Sequence, residues 1–174
     1  MNTSPGPSRD LLITFINGLL SPNDYVLDIG CGTKEIARAL KCTSVTTLDA
    51  WKPFNPDIWC DLTEIKQLPC ENDSYDVILM TDVIEHLPKE RGFYILREAK
   101  RVTRKYIIVF TPLWWDPNVQ QLNNPASPYY GNEHDKHLSL WTPEDFVEFD
   151  RIVSISAFEN YYLGVWNKNA TNRT

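Results

Sequence analysis

Asp82, Glu85 and His86 stand together in Thr81-Asp82-Val83-Ile84-Glu85-His86-Leu87, and the other two histidines lie in Asn132-Glu133-His134-Asp135-Lys136-His137. An imidazole with an unperturbed pKa of about 6.5 is suited to take a proton at neutral pH. His86 is therefore the first candidate for a general base, with Glu85 able to replace it. A helical turn after Thr81 would set Asp82 and His86 on one face. The plainer reading of His86 is a helix-start histidine with a structural hydrogen bond. Glu85, His86, His134 and His137 are also ligand types for a metal ion, but their spacing fits no standard metal motif, and no metal is expected.

A second group of residues could hold a polar ligand. In Val26-Leu27-Asp28-Ile29-Gly30-Cys31-Gly32-Thr33, the two glycines permit a sharp turn and a close approach of backbone to ligand. Asp49 follows about 20 residues after Asp28, the interval at which an acid can hold a ribose diol. Asp61 closes a further short apolar run. A strand followed by two glycines can also be a plain turn in an α/β protein.

These residues need a scaffold. Tyr25–Ile29, Val45–Leu48, Ile58–Cys60, Tyr75–Met80 and Tyr106–Phe110 are short apolar runs of the kind found in parallel strands buried on both faces. Thr33 is placed to cap a helix in which Ile36, Ala37 and Leu40 recur at helical spacing. Ser8 is placed to cap another, Arg9 to about Leu20, whose stripe of Leu11, Leu12, Phe15, Ile16 and Leu19 packs on the sheet or also closes over the site. Pro88 to Arg101 reads as a helix with Phe93, Leu96 and Ala99 inward. Its basic residues are a solvated face or a phosphate-contacting patch. Thr142-Pro143-Glu144-Asp145 is a helix start. Arg151–Phe158 and Tyr161–Trp166 read as strands of a hairpin turning at Glu159-Asn160.

Taken together, the strand, the Asp28-x-Gly30-Cys31-Gly32 turn, Asp49, Asp61 and the Thr81 strand end resemble the class I methyltransferases that use S-adenosylmethionine, in particular the small-molecule, methyltransferase type 11-like group. The resemblance runs from about Tyr25 to Thr111. It implies an α/β, Rossmann-like three-layer sandwich with a seven-stranded, mostly parallel sheet and a C-terminal antiparallel hairpin. It also implies that Asp28, Gly30, Cys31 and Gly32 surround the methionine end of the cofactor. Asp49 and Ala50 would lie at the ribose, Asp61 and Leu62 at the adenine edge, and Thr81 on the floor. The chain departs from the family at Lys34, where a third glycine is common. His137-x-Ser139-x-Trp141 resembles an element of some of these enzymes in which the histidine and serine face the acceptor.

From Thr111 to Trp141 the periodicity stops, prolines interrupt, and Trp114, Trp115, Tyr129, Tyr130 and Trp141 crowd together. A connection this long in a compact domain is a lid or a surface loop that buries its own aromatics. As a lid it would cover the acceptor with Trp114, Trp115, His134, His137 and Ser139, leaving the cofactor to the strand ends. Trp51 either lies against the adenosine or fills the gap beside a short crossover.

The length of 174 residues suits one domain, 1–174, with Met1 to Pro7 expected to be mobile. A formal net charge of −6 argues against a dedicated nucleic-acid binder. No apolar run is long enough for a membrane span, and no signal peptide is evident. None of the four cysteines forms a Cys-x-x-Cys pair, which suits reduced thiols and a cytoplasmic protein. The expected activity is S-adenosylmethionine-dependent methyl transfer to a small molecule, at oxygen. The alternatives are a catalytically idle partner subunit of the same fold, or a nicotinamide-dependent oxidoreductase. The fingerprint of the oxidoreductase needs a glycine where Glu35 stands. The oligomeric state is not legible.

Overall fold

The computed structural model describes residues 9–152 and 158–170. Ser8, the expected mobile segment at the start, and most of the run from Arg151 to Phe158 lie outside them.

Seven strands form one sheet in the order β3-β2-β1-β4-β5-β7-β6. The first five are β1 (Tyr25–Ile29), β2 (Ser44–Asp49), β3 (Ile58–Trp59), β4 (Tyr75–Thr81) and β5 (Thr103–Pro112), all parallel. The last two, β6 (Asp150–Arg151) and β7 (Tyr161–Asn167), run antiparallel to each other, and β7 runs antiparallel to β5. This is the expected architecture. Arg151 pairs with Gly164, a register that does not centre on a two-residue turn at Glu159-Asn160.

The strands alternate between two cores, as a pleated sheet covered on both faces requires. Leu27, Ile29, Ile78 and Met80 face the layer that holds α3 (Lys89–Val102), which inserts Ile95, Leu96, Ala99 and Val102. Val26, Val77 and Leu79 face the other layer, where Leu12 and Ile16 of α1 (Arg9–Leu19) and Ile36 of α2 (Glu35–Ala39) pack. Phe93 is not an inward residue of α3; it is 43% exposed and meets the edge of Trp141. The expected helix after Thr142 is a single 3-10 turn, Pro143–Phe146, held by a reciprocal capping box between Thr142 and Asp145.

The basic stretch of α3 and the following strand is taken up by structure. Arg101 pairs with Glu98, Arg104 with Asp76, and Lys105 with Asp24. Arg104 holds the Asp76 carboxyl well below the usual carboxylate range. These pairs stitch the amino ends of β1, β4 and β5, which supports the solvated-face reading over a phosphate patch.

The strand order reverses between β1 and β4, and in an open α/β sheet the ligand crevice lies beyond the carboxyl ends at that point. Thr33 does not cap α2. The residue at that position is Lys34, at φ 63°, with no side-chain cap. Lys34 thus takes the left-handed conformation a third glycine would take without cost, and its ammonium donates to the Asn55 carbonyl.

Candidate active site

A cavity of about 490 Å3 opens over the carboxyl ends of the parallel strands. Asp28, Gly30, Cys31, Gly32, Asp49, Ala50, Asp61, Leu62 and Thr81 all line it, so every residue expected around the cofactor reaches one space.

The glycine turn is built by steric exclusion. At Gly30, φ +70°, a Cβ would come within 2.3 Å of Val83 Cγ2, so β1 and β4 approach here only because the side chain is missing. At Gly32, φ +50°, a Cβ would meet the Tyr129 hydroxyl at 2.9 Å. Asp49 is held by two backbone donors. Gly32 N–H donates to Oδ2 at 3.0 Å and Trp51 N–H to Oδ1 at 2.8 Å. Each oxygen keeps a lone pair for a hydroxyl donor.

Asp28 is 1% exposed, and its Oδ1 has no hydrogen-bond partner. Burial, with Asp49 nearby, pushes its carboxyl up to about 7. Burial likewise pushes the Cys31 thiol up to about 12, so it is a thiol and not a nucleophile. Asp61 Oδ1 accepts from the Thr63 amide and hydroxyl, and its other oxygen faces His134 Nδ1 at 3.9 Å.

The second wall holds the three residues expected to do acid–base work. After β4 the chain turns at Asp82, φ +52°, and makes a 3-10 turn over Ile84–His86 in place of an α-helical one. Glu85, 2% exposed, accepts from the Thr111 hydroxyl through Oε2 at 2.8 Å, while its Oε1 has no partner. Burial and the neighbouring Asp82 raise the Glu85 carboxyl well above its usual range. His86 Nδ1 lies 3.2 Å from the Lys136 carbonyl. A carbonyl can only accept, so Nδ1 carries the proton and Nε2 the lone pair. Burial lowers the His86 pKa to about 4 and that of His137 in the same direction. The two rings meet edge to face, 4.8 Å between centres.

His137 is brought there by its own neighbours. Leu138 N–H and Ser139 N–H both donate to the Glu85 carbonyl, at 2.8 and 3.0 Å. The Ser139 hydroxyl donates to the Leu87 carbonyl at 2.7 Å. Trp141 Nε1–H is shared between the Ile84 carbonyl at 3.1 Å and Ser139 Oγ at 2.9 Å. Trp141 is fully buried, and Gly92 of α3 makes room for it. Ser139 and Trp141 therefore form a clip to the Ile84–Leu87 turn. Ser139 does not line the cavity.

The lid residues divide in a way the chain order does not show. Trp114, His134 and His137 line the cavity. Trp115 does not, and stands 55% exposed. His134, expected at the acceptor, sits instead beside Asp61. Trp51 does not line the cavity; Phe54 does, edge to face with Tyr129 at 5.1 Å. Phe54 and Tyr129 are site residues that sequence reasoning missed as such. From α1, Leu12 and Ile16 pack on the sheet, as expected, while Arg9 reaches the cavity and pairs with Asp82 at 3.0 Å.

A family model described as a methyltransferase domain matches residues 27–109. Over those residues the chain is similar to the methyltransferase family, and its fold is that of class I methyltransferases. Solved structures share its fold. The PH0226 protein from Pyrococcus horikoshii OT3 superposes with a TM-score of 0.63 at 15% identity, over 91% of this chain and 88% of that one. A SAM-dependent methyltransferase from Archaeoglobus fulgidus gives 0.60 at 17% identity, over 92% and 95%. A methyltransferase from Haloferax volcanii, solved in complex with the Trm112 methyltransferase activator, gives 0.54 at 15%, over 84% and 82%. No curated protein matches the chain by sequence.

The cofactor that this similarity implies is S-adenosylmethionine. The residues present fit it. The partnerless Asp28 Oδ1 lies beside a glycine cradle that side chains would fill, and Asp49 is a fixed acceptor for a diol. Among the described residues no helix is long and apolar enough to cross a membrane.

Proposed function

We propose that the chain methylates a small molecule at oxygen, and that the acceptor binds between the Ile84–His86 turn and the lid. The observation that carries this reading is the Glu85, His86 and His137 group facing the same 490 Å3 cavity as the cofactor strand ends. A space of this size falls in the ordinary range for small-molecule sites. The charge lining it narrows the class. Nine acidic side chains line the cavity against one guanidinium, from Arg9, and no lysine among the described residues. Burial moves Asp28, Glu85 and Asp135 toward their neutral forms, and the remaining carboxylates still leave the field negative. Such a field repels carboxylate and phosphate acceptors and admits neutral hydroxyl compounds such as phenols and sugars. For the same reason a nucleic-acid backbone is a poor partner.

Bound S-adenosylmethionine supplies an electrophilic methyl group on a positively charged sulfur. Gly30, Gly32, Asp28 and Asp49 would hold and orient it, with Asp61, Leu62 and Tyr129 beside them. The chain's contribution is alignment, which can supply roughly 7–11 kcal/mol of a barrier of this kind. Trp114 and Tyr129 keep water out of the cleft. His86 Nε2 offers a lone pair toward an acceptor proton, but an imidazole held near pKa 4 is a weak base.

The test is transfer of a radiolabelled methyl group to panels of neutral hydroxyl compounds, carboxylic acids, RNA and proteins. Label on the hydroxyl compounds is expected. Label confined to carboxylic acids, RNA or protein overturns the reading.

A further inference from the structure

Glu85, His86 and His137 each offer a ligand atom, and these atoms all lie within 4.8 Å of one another. We propose that they bind one divalent transition-metal ion, which holds the acceptor oxygen in the cavity. The proposal rests on the reading above only for where the acceptor sits; the metal site stands on its own geometry.

Four observations converge. Glu85 is buried with one oxygen tied to Thr111 and the other without a partner, a costly arrangement unless something cationic takes it. His86 donates through Nδ1 to the Lys136 carbonyl, leaving Nε2 as the ligand atom. A metal-binding histidine is oriented by such a bond from its other nitrogen. His137 is fixed opposite by the Ser139 and Trp141 clip, so a loop residue is delivered to the Glu85 turn by four hydrogen bonds. The surrounding wall is acidic, with Asp82, Asp116 and Asp135 all lining the same cavity.

The chemistry of the set selects the ion. Two imidazoles and one carboxylate suit zinc, cobalt, nickel or ferrous iron, where magnesium and calcium prefer oxygen donors. Three protein ligands leave positions open for water and an acceptor oxygen, the pattern of a catalytic and not a structural site. Bonds of about 2.1 Å need a slightly tighter triangle than the one seen. The half-buried imidazole of His137 has room to close it. His134, the third histidine, takes no part; it faces Asp61.

The test uses cobalt(II) as the probe. The chain, stripped with a chelator, is titrated with cobalt while visible d–d absorption is read. S-adenosylhomocysteine binding is measured by calorimetry on the same samples. One equivalent is expected to bind, without a thiolate charge-transfer band. Glu85→Gln and His137→Gln should each weaken cobalt at least tenfold, while His134→Ala keeps it. Retained S-adenosylhomocysteine affinity in His137→Gln shows that the fold is intact. No saturable one-to-one signal, unchanged affinity in both ligand variants, or a thiolate band would overturn the metal site. Failure of the unmodified chain to bind S-adenosylhomocysteine would overturn the cofactor reading instead, and leaves the cobalt result to be judged separately.

Discussion

The imidazoles of His86 and His137 stand edge to face with 4.8 Å between ring centres, one from the end of a buried strand and the other from an irregular connection. Their meeting depends on the clip, and the clip depends on Gly92. A Cβ at that position would come within 2.3 Å of the Trp141 ring. Gly92→Ala should therefore push Trp141 from its seat, lower thermal stability and reduce turnover, although alanine is the better helix former. A melting curve alongside S-adenosylhomocysteine titration checks this. An unchanged melting temperature with full turnover would show that Trp141 does not hold the loop.

Asp49, the residue proposed to hold the ribose, is itself held by two backbone donors. At a hundredfold excess over its dissociation constant, S-adenosylhomocysteine should stabilise the fold by about 2.7 kcal/mol. Asp49→Ala should lose most of that gain. A denaturant titration with and without ligand measures it, and wild-type affinity in the variant would show Asp49 to be misassigned.

Tyr129 closes over Gly32, so on the proposed reading the lid should contribute to cofactor binding as well as to the acceptor space. Tyr129→Ala should weaken S-adenosylhomocysteine several-fold. Trp115→Ala should leave it unchanged, since that ring lies outside the cavity. Equal effects from the two substitutions, read by calorimetry, would contradict this division.

The pH dependence of the ligand-free fold follows from two buried groups. Asp28 titrates near 7 when folded and about 3.9 when unfolded. Its contribution to stability is present below about 4 and is lost as pH rises through about 7. His86 titrates near 4 when folded and about 6.5 when unfolded, so its contribution is present above 6.5 and lost as pH falls through 4. Between about 4 and 6.5 the two slopes oppose and nearly cancel, so the melting temperature should change little across that window. Asp28→Asn should leave a melting temperature that rises with pH there, and His86→Gln one that falls; a profile that neither variant tilts would place the titrating groups elsewhere.

If the Glu85, His86 and His137 site holds an ion during turnover, EDTA should abolish methyl transfer and leave S-adenosylhomocysteine affinity intact. Added zinc or cobalt should restore the activity. Full turnover in excess chelator would separate the ion from the reaction.

The sheet was legible because its rules are local. Buried parallel strands such as Val26–Ile29 and Tyr75–Met80 announce themselves as apolar β-branched runs, and the glycine turn must follow the first of them. Once the strand order is known, Asp28, Asp49, Asp61 and Thr81 fall on one edge. The irregular half was not legible in the same way. Nothing local tells that Tyr129 reaches Gly32, that His134 turns toward Asp61, or that Ser139 bonds the Leu87 carbonyl and not an acceptor. These are choices of packing between distant segments. The helix cap was placed one residue early, at Thr33 in place of Lys34, for a different reason. A left-handed lysine is uncommon, and the Asn55 carbonyl that receives its ammonium lies across the turn.

The clip also bears on the order in which the molecule assembles. Ser139 and the carbonyl it bonds are 52 residues apart in sequence. Closing a loop of that length carries an entropic cost that grows with the logarithm of its size, and little is recovered until the contacts at its base are made. The glycine turn needs only β1 to dock between β4 and β2, whose Leu48 carbonyl and Asp49 carboxylate receive its amides. Backbone amides of Leu138 and Ser139, bonded to the Glu85 carbonyl, should therefore exchange with solvent through an opening that leaves the amides of Leu27 and Ile29 protected. A chain caught in that opening would still carry its nucleoside platform, with one imidazole swung away into water.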